Sequence, residues 1–439
     1  MRMGARDATP WPPPPAETVN MTATPTPIIQ TRALALACAA ALAGAGAHAA
    51  CGIEGEGSVR ILGNDFEALT ILADEAKACA GDGLDVEANL TTEHKNLQVP
   101  ALSIKPAEYT VALVANNSIV PLMTDDLVRP LDDLVERYGQ SLRPNQLIKS
   151  DGKTVAVAFM VNSQHLFVRE DVLEEAGVEM PTSYEEVLAA AKAIRDAGIM
   201  DNPLGATDAA GWYLAAEFVN TYLGLGGEFF APGGAEPAIE GEAGLRTLEN
   251  MRAMTEYMST EYLTYTADEL QKRWLAGELA IMNQWGSMVN GHIDPDGPAP
   301  EIAAATVLAA APTIGGGDVP ASALWWDGFA IATNVSDEDA AASFQAMVHA
   351  IRPEVAAEHP TVATWLMEGY EVPAGAAGVM ATAEGGARAY PMSPYMGLMH
   401  TALGAELPDF LQGKESAEQA LADVAAAYTA SAKEAGFLN

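Results

Sequence analysis

Two adjacent tryptophans and an aspartate open an apolar run, "WWDGFAIA", at residues 325–332. The chain holds only 7 tryptophans in 439 residues, so the pair is unusual. An indole offers a flat apolar face, and a carboxylate accepts hydrogen bonds from a polar ligand. Adjacent residues of a strand point to opposite faces, so at most one of Trp325 and Trp326 shares a face with Asp327. We expect the other indole in a core; the alternative is that both serve only packing.

Further polar side chains follow the ends of predicted strands. Amides and carboxylates place donors or acceptors in fixed directions, which suits recognition of hydroxyl groups. The same residue types are common in turns, and turn chemistry is the alternative interpretation. The candidates are Asn64, Asp65 and Glu67 after the first strand, Asn116 at the end of "YTVALVAN", and Asn162 within the extended stretch 153–171.

Catalytic signatures are missing from the sequence. It contains no G-x-S-x-G, no phosphate-binding loop and no H-E-x-x-H, and its 7 histidines are scattered. The "DPDG" at Asp294 lacks the later ligands of a calcium loop. With 59 acidic residues, paired carboxylates arise by chance and are weak support for glycoside hydrolysis. The sequence therefore predicts a protein without enzymatic activity, cofactor or metal.

Composition narrows the class of protein. The formal net charge of −36 repels nucleic acid and anionic lipid surfaces, so neither is expected as a partner. A hydrophobic fraction of 49% with 19% charged residues is typical of a globular protein with substantial cores. The length exceeds what a single core usually supports, which favours two domains.

The N-terminal region predicts export. Residues 33–47, "ALALACAAALAGAGA", form an apolar run that follows Arg32 and precedes "AHA". This is the pattern of a signal peptide, and we place the cleavage after Ala49, with residues 1–49 as leader and signal peptide. The run is too short to span a bilayer comfortably. Met21 is an alternative start. A lipid anchor on Cys51 is the less favoured alternative, since His48 occupies the position where a leucine-like residue is expected.

Two cysteines remain after such a cleavage, Cys51 and Cys79. An even number in an oxidising compartment predicts a disulfide, and the alternative is two free thiols.

The elements that position these residues alternate along the chain. Short apolar strands are predicted at 59–62, 84–90 and 109–117. Helices are predicted after a capping box at Thr182 and Glu185 and after Ser336 and Ser416. Strands that alternate with helices predict an α/β fold with mainly parallel sheets.

Several segments together resemble the extracellular solute-binding proteins of sugar ABC importers, from about Ser58 to Phe437. The order and spacing of the segments carry the resemblance more than any one motif does. They are "YTVALVANNSIVPLMTDDLVRPLDDL", "VNSQHLFVREDVLEEAGVEMPTSYEEVLAAAKAI", "LQKRWLAGELAIMNQWGS", "LWWDGFAIATNVSDEDAAASFQAMVHAI" and the C-terminal "FLQGKESAEQALADVAAAYTASAKEAGF".

The resemblance implies two α/β lobes joined by a hinge, with three crossings between them. The first crossing would lie near Asn162, the second at Trp285 and the third at Asp327. The first lobe would comprise 52–157 plus 287–325, and the second 158–286 plus 326–439. Trp285 would be the best platform for a sugar ring, and Trp326 or Trp325 the next, while Asp327 would accept sugar hydroxyls.

The sequence also predicts the positions of two more aromatic residues relative to this cleft. Tyr395, in the proline-rich "YPMSPYMG", is expected to border it, whereas core burial is the favoured interpretation for Trp212.

The resemblance also implies a monomeric periplasmic protein that binds a small-molecule sugar and delivers it to the membrane permease of an ABC transporter. Two alternatives stay open. The same scaffold could bind a polyamine or an osmolyte, and clustering of Asp65, Glu67 and Asp327 would favour the polyamine. A secreted carbohydrate-active enzyme would instead need two carboxylates about 5–9 Å apart across the cleft.

Overall fold

The computed structural model describes residues 51–81, 83–150 and 152–439. The predicted leader, signal peptide and cleavage site lie outside these residues. Among the helices that are described, none is both long and apolar enough to span a bilayer.

Eleven strands alternate with the helices along the described chain. They are β1 (Gly57–Gly63), β2 (Leu84–Leu90), β3 (Val111–Ala115), β4 (Leu147–Ser150), β5 (Lys153–Asn162), β6 (Gln164–Arg169), β7 (Leu204–Gly205), β8 (Ile281–Trp285), β9 (Thr306–Ala309), β10 (Trp325–Ile331) and β11 (Thr364–Trp365).

The α-helices of the described chain include several short ones. They are α1 (Glu67–Lys77), α2 (His94–Ser103), α3 (Ile119–Thr124), α4 (Asp132–Tyr138), α5 (Glu170–Ala176), α6 (Tyr184–Asp196), α7 (Trp212–Gly224), α8 (Glu242–Thr255), α9 (Ala267–Leu275), α10 (Asn290–Ile293), α11 (Pro300–Ala305), α12 (Asp337–Ala350), α13 (Pro353–Glu358), α14 (Ala377–Glu384), α15 (Met396–Leu411) and α16 (Ala417–Glu434).

The strands form two sheets, and each sheet is the centre of one lobe. The first lobe contains a seven-stranded sheet in the order β11-β5-β10-β3-β1-β2, with β4 paired to β5. The second lobe contains a four-stranded sheet in the order β7-β8-β6-β9. Helices pack on both sheets, and the predicted α/β class is confirmed.

The prediction of mainly parallel sheets is wrong. β1 pairs in parallel with β2 and β3, and β7 with β8. All other strand pairs are antiparallel, including both neighbours of β10. The cause is local: β5 and β6 follow each other across a single residue, Ser163, and β10 returns between β3 and β5 in the opposite direction.

The centre of the first sheet is buried on both faces, so successive side chains of a central strand enter different cores. In β3, Val111 and Leu113 join the core beneath α1 and α12, while Ala112 and Val114 join the core on the other face. A central strand such as β3 is therefore a continuous apolar run with polar residues after its end, whereas the edge strand β2 alternates apolar and polar residues.

The chain crosses between the lobes three times, but two crossings differ from expectation. The first lies at Ser163, between β5 and β6. The second leads from β9 to β10, and the third leads from β11 to α14. Trp285 does not lie at a crossing, because β8 is followed by α10, α11 and β9, which all stay in the second lobe.

The predicted lobe boundaries need correction for the same reason. Residues 287–324 belong with the second lobe, since β9 pairs with β6 of the second sheet. The segment from β10 to β11 belongs to the first lobe, since both strands pair with β5. An apolar pattern identifies a strand but does not identify the sheet in which it pairs.

The predicted disulfide is confirmed. Cys51 and Cys79 are bonded, with their Cα atoms 5.1 Å apart, within the usual range of about 4.4–6.8 Å. The bond ties the segment before β1 to the end of α1, and Cys79 is fully buried in the core of the first lobe.

We predict that the Cys51→Ala/Cys79→Ala variant loses about 3–4 kcal/mol of unfolding free energy, because the disulfide closes a loop over a sequence separation of 28 residues. Urea unfolding of the variant and of the oxidised protein measures the difference. Reduction of the parent protein should reproduce most of the loss. Equal stability of the two proteins, or two labelled thiols in the unfolded unreduced parent, would contradict the prediction.

Candidate functional site

A cavity of about 200 Å³ lies where strands of the first lobe end and the second lobe approaches. Asn64 follows β1, Asn117 follows β3, and Asp327 lies near the start of β10. The second lobe contributes Trp212, the first residue of α7. Ligands of open α/β sheets bind beyond the carboxyl ends of parallel strands, and this cavity has that location.

The structure separates the roles of the two adjacent tryptophans. Trp326 is 5% exposed and packs in the core on one face of the first sheet. Trp325 points to the opposite face and lines the cavity together with Asp327. This is the arrangement that strand alternation allows, with one indole on the side of the carboxylate and the other inside.

Three indoles pack against one another at the edge of the cavity. The ring centroids of Trp212 lie 6.0 Å from Trp285 and 5.8 Å from Trp325, and those of Trp285 and Trp325 are 6.0 Å apart. Trp285 is only 9% exposed, whereas Trp212 is 46% exposed. The indole presented to the cavity from the second lobe is therefore Trp212, and Trp285 supports it from behind. The expected core burial of Trp212 is wrong.

Local backbone geometry explains why Trp212 projects from its lobe. Gly211, at the N-cap of α7, has φ 99° and ψ −131°, a conformation that L side chains rarely adopt. Gly404 of α15 lies against it, and a Cβ there would come within 2.4 Å of the Gly211 carbonyl oxygen. The close approach of these two glycines fixes the start of α7, and with it the position of Trp212.

A buried histidine and a tyrosine support the same aromatic cluster. The Nε2 atom of His400 lies 2.9 Å from the carbonyl oxygen of Trp212, so Nε2 carries a proton and donates it. Its Nδ1 atom lies 3.1 Å from the Tyr390 hydroxyl, and the Tyr390 ring stacks on Trp325 with centroids 4.3 Å apart. Burial lowers the pKa of His400, which favours this neutral form.

Asp327 is a half-buried carboxylate that accepts no hydrogen bond from any described residue. Burial raises its pKa to about 7, and the charge of Lys95 opposes this shift. Lys95 lines the cavity but forms no ion pair with the carboxylate. The carboxylate is therefore open to donors that a ligand brings.

Two of the predicted asparagines form hydrogen bonds next to the crossings. Asn116 is fully buried, and its Nδ2 donates to the carbonyl oxygen of Leu324 at 3.1 Å, just before β10. Asn162 precedes the first crossing, and its Nδ2 donates to the Ser287 hydroxyl of the second lobe at 3.2 Å. Neither residue is among those that line the cavity.

The remaining predicted residues are separated from the cavity in different ways. Asp65 and Glu67 are exposed beside Asn64 and do not line it. Tyr395 packs in the second lobe against Phe230, and its hydroxyl donates to the carbonyl oxygen of Gly234. The proline-rich loop of Tyr395 therefore serves packing within the second lobe.

Sequence reasoning missed three polar residues of the cavity, His94, Lys95 and Asn117. His94 and Lys95 begin α2, shortly after β2 ends at Leu90. The signal that singles out Asn64 and Asn116, a polar residue at the end of a predicted strand, also applies to the residues that follow the second strand.

A buried polar network lies behind the cavity in the second lobe. The Glu217 carboxylate accepts hydrogen bonds from the amide and hydroxyl of Thr207 and from the Asn283 side chain. Asn220, also on α7, donates to Gln164 at the start of β6 and accepts from the amide of Ala323. The network thus connects α7 with the two chain segments next to the first and second crossings.

Asp208 is buried beside this network and lacks the hydrogen bonds that Glu217 has. Burial raises the pKa of Asp208 well above its usual range, and the charge of Glu217 raises it further. Burial also raises the pKa of Glu217, although its hydrogen-bond donors oppose the shift. Because Glu217 is the carboxylate that accepts donors, protonation of the pair favours Asp208.

A larger but open depression, about 480 Å³, lies on the second lobe between α9 and α10. Asp268, Lys272 and Asp294 are among the residues that line it. It involves one lobe only and lies at no strand end of a parallel pair, so the cavity at Asp327 is the better candidate for a binding site.

Comparison with known proteins identifies the family. Residues 101–348, more than half of the chain, match the family of bacterial extracellular solute-binding proteins. The protein belongs to this family. No curated protein matches the chain.

Solved structures share the two-lobed fold. Maltose-bound MalE3 of T. maritima superposes with a TM-score of 0.67 at 17% identity, over 85% of this chain and 99% of that one. A solute-binding protein of Agrobacterium radiobacter K84, in complex with ribitol, gives 0.67 at 18% identity, over 85% and 98%. The GacH receptor of Streptomyces glaucescens, solved with and without acarbose, gives 0.66 at 19% identity, over 88% and 100%.

We predict that Asp208→Asn raises the melting temperature at pH 8 by a few degrees and leaves it unchanged near pH 4. The native state binds the Asp208 proton more tightly than the unfolded chain does, so stability is fully present below the unfolded pKa of about 3.9 and is lost as pH rises through the higher native pKa. Asparagine does not ionise, so the variant keeps its stability as the pH rises.

Melting curves from pH 4 to pH 8 measure this effect. The exposed Asp201→Asn of the same lobe is the matched control and should follow the parent protein. Glu217→Gln should destabilise at every pH, since its amide would meet the donors of Thr207 and Asn283. An Asp208→Asn variant that is less stable than the parent at pH 8 would contradict the assignment of the proton.

Proposed function

We propose that this protein binds a small polyhydroxylated ligand, a single sugar ring or a short polyol, in the cavity between its lobes. It would serve as the substrate-binding subunit of an ABC importer and deliver this ligand to the membrane permease. The observation that carries the proposal is the pairing of exposed indole surface, from Trp212 and Trp325, with the unpartnered carboxylate of Asp327 at the strand ends.

The chemistry of the cavity matches such a ligand. An indole face packs on the C–H face of a sugar, and Asp327 accepts hydrogen bonds from two hydroxyls. The side chains of Asn64, Asn117 and Lys95 supply donors to hydroxyl oxygens. Solved proteins with the same fold hold maltose, ribitol, D-mannitol or α-D-tagatose, which supports the same class of ligand here.

Size favours a small member of this class. The cavity of about 200 Å³ is below the roughly 300–1,000 Å³ of pockets that take drug-sized ligands. A monosaccharide or a linear polyol suits this volume better than an oligosaccharide does. Opening of the lobes about the three crossings would admit the ligand, and closure would be selected by it.

The alternatives find less support. The acidic cluster that would favour a polyamine is not assembled, because Asp65 and Glu67 lie outside the cavity and Lys95 lies within it. The three indoles are in mutual contact and leave no gap for a quaternary ammonium group. Glycoside hydrolysis uses two carboxylates, and Asp327 is the single carboxylate among the lining residues of the described chain.

The proposal includes the cellular setting. Membership of an extracellular family and the signal-like segment at 33–47 support export to the periplasm with cleavage near Ala49. There the Cys51–Cys79 disulfide would form and persist. We propose that the exported protein acts as a monomer.

We predict that the first ligand will be found in a thermal-shift panel of D-mannitol, ribitol, D-tagatose and maltose, since a ligand that binds the native state raises its melting temperature. With that ligand, Trp212→Ala should weaken binding by about 2–4 kcal/mol, or about thirty- to thousandfold in Kd. Asp327→Asn keeps the shape but loses the charged acceptor, at a cost of about 1–3 kcal/mol.

Titration calorimetry and melting curves separate binding from folding in these variants. Trp212→Phe keeps an aromatic face and should lose less than the alanine variant, while the exposed Asp318→Asn is the control with parental affinity. Trp285→Ala should weaken binding and also lower the melting temperature, since Trp285 is buried behind Trp212. Parental affinity in both Trp212→Ala and Asp327→Asn would show that the ligand binds elsewhere.

A further inference from the structure

The elements around Asp327 supply almost no opposite charge and no hydrogen-bond donor to its carboxylate. Its strand β10 lies between β3 and β5, and the paired residues are Ala115 and Met160, neither of which titrates. Trp325 lies on the same strand, and Trp212 of α7 faces the cavity from the second lobe. These neighbours reduce the contact of the carboxylate with water and donate no hydrogen bond to it.

The titratable groups near Asp327 come from α2 and the segment after β1. Lys95 of α2 lines the cavity and is the one cation among the described residues that do so. His94 is buried beside it, and burial together with the Lys95 charge lowers the pKa of His94. Asp65 and Glu67 are exposed to solvent outside the cavity. A single unpaired cation therefore opposes the desolvation of Asp327.

We propose that ligand binding in this cavity is coupled to ionisation of Asp327, so that uptake of the ligand releases a proton and affinity rises with pH. The inference rests on the proposed function, since it concerns the same cavity. The affinity of the cavity for its ligand would then depend on the pH of the compartment in which the protein captures that ligand.

The direction of the coupling follows from the hydrogen bonds that Asp327 can accept in the free protein and in the complex. An ionised carboxylate accepts several hydroxyl donors, and these bonds are about twice as strong as those of neutral groups. In the free protein no described residue supplies such donors, and the pKa of Asp327 is raised by burial to about 7. Hydroxyls of a bound ligand favour the charged form and lower the pKa in the complex.

Affinity depends on pH differently above and below pH 7. Well above pH 7, Asp327 is already ionised in the free protein, and affinity is constant. Below pH 7, binding must first remove the proton, so affinity falls by up to tenfold per pH unit until the pKa of the complex is reached. Between pH 8 and pH 5.5, Kd should rise by up to about thirtyfold.

Calorimetric titration with D-mannitol, ribitol and D-tagatose from pH 5.5 to pH 8 tests the coupling. These probes do not titrate in this range, so a change in Kd belongs to the protein. Titration at pH 7 in two buffers with different ionisation enthalpies counts the released protons, and about half a proton per ligand is expected. The parent and the exposed Asp318→Asn control should show the slope, whereas Asp327→Asn should show weaker binding that does not vary with pH.

The outcomes distinguish this inference from the proposed function. Binding with a flat pH profile and no proton release would overturn the coupling and leave the binding site intact. A slope that persists in Asp327→Asn would assign the proton to another group and would equally overturn it. Absence of binding by every probe and by maltose would overturn the proposed function.

One measurement needs no ligand. If the free protein holds Asp327 protonated below pH 7, the melting temperature of Asp327→Asn should exceed that of the parent by an amount that grows between pH 5 and pH 7 and levels off above pH 7. A constant difference over that range would overturn the coupling even if no probe binds.

Discussion

The position of β10 at the centre of the first sheet constrains most of what surrounds the cavity. This strand pairs with β3 on one side and β5 on the other, so its backbone polar groups are satisfied and both of its faces are covered. Its alternation sends Trp326 into a core and leaves Trp325 and Asp327 on the face that meets the second lobe. A shift of one residue in this register would bury the carboxylate and expose the wrong indole.

The second lobe completes the site through the start of one helix. Trp212 begins α7, and three independent contacts fix it there: the Gly211–Gly404 approach, the His400 hydrogen bond to its carbonyl, and packing on Trp285. The buried network of Glu217, Asn220 and Gln164 then ties α7 to the segments next to two crossings. Movement of the lobes would therefore carry Trp212 as part of a rigid unit relative to Asp327.

Local features of the fold could be predicted from the sequence. The strand over 84–90 and the helix caps at Ser336 and Ser416 are found where they were expected, since each depends on residues close in sequence. The helix after Thr182 is capped instead by Ser183, one residue later. The disulfide pairing also followed from only two cysteines remaining.

Less of the candidate site could be predicted from the sequence, because its composition depends on contacts between distant residues. The sheet to which β10 belongs is decided by pairing with β3 and β5, and no periodicity within residues 325–331 encodes that choice. Trp212 begins a helix directly after the turn at Gly211 and is exposed, whereas Trp285 ends a strand and is covered. Asn116 and Asn162 have the residue type of ligand contacts, and in the structure each forms a hydrogen bond next to a crossing.

The most direct test of the account is a crystal structure with the polyol or sugar selected by the thermal-shift panel. The account predicts ligand density in the cavity at the ends of β1 and β3, with ligand hydroxyls about 2.5–3.0 Å from the Asp327 carboxylate and an indole face of Trp212 or Trp325 against the carbon skeleton. Ligand density in the depression between α9 and α10, or a ligand in the cleft that touches neither Asp327 nor Trp212, would contradict it.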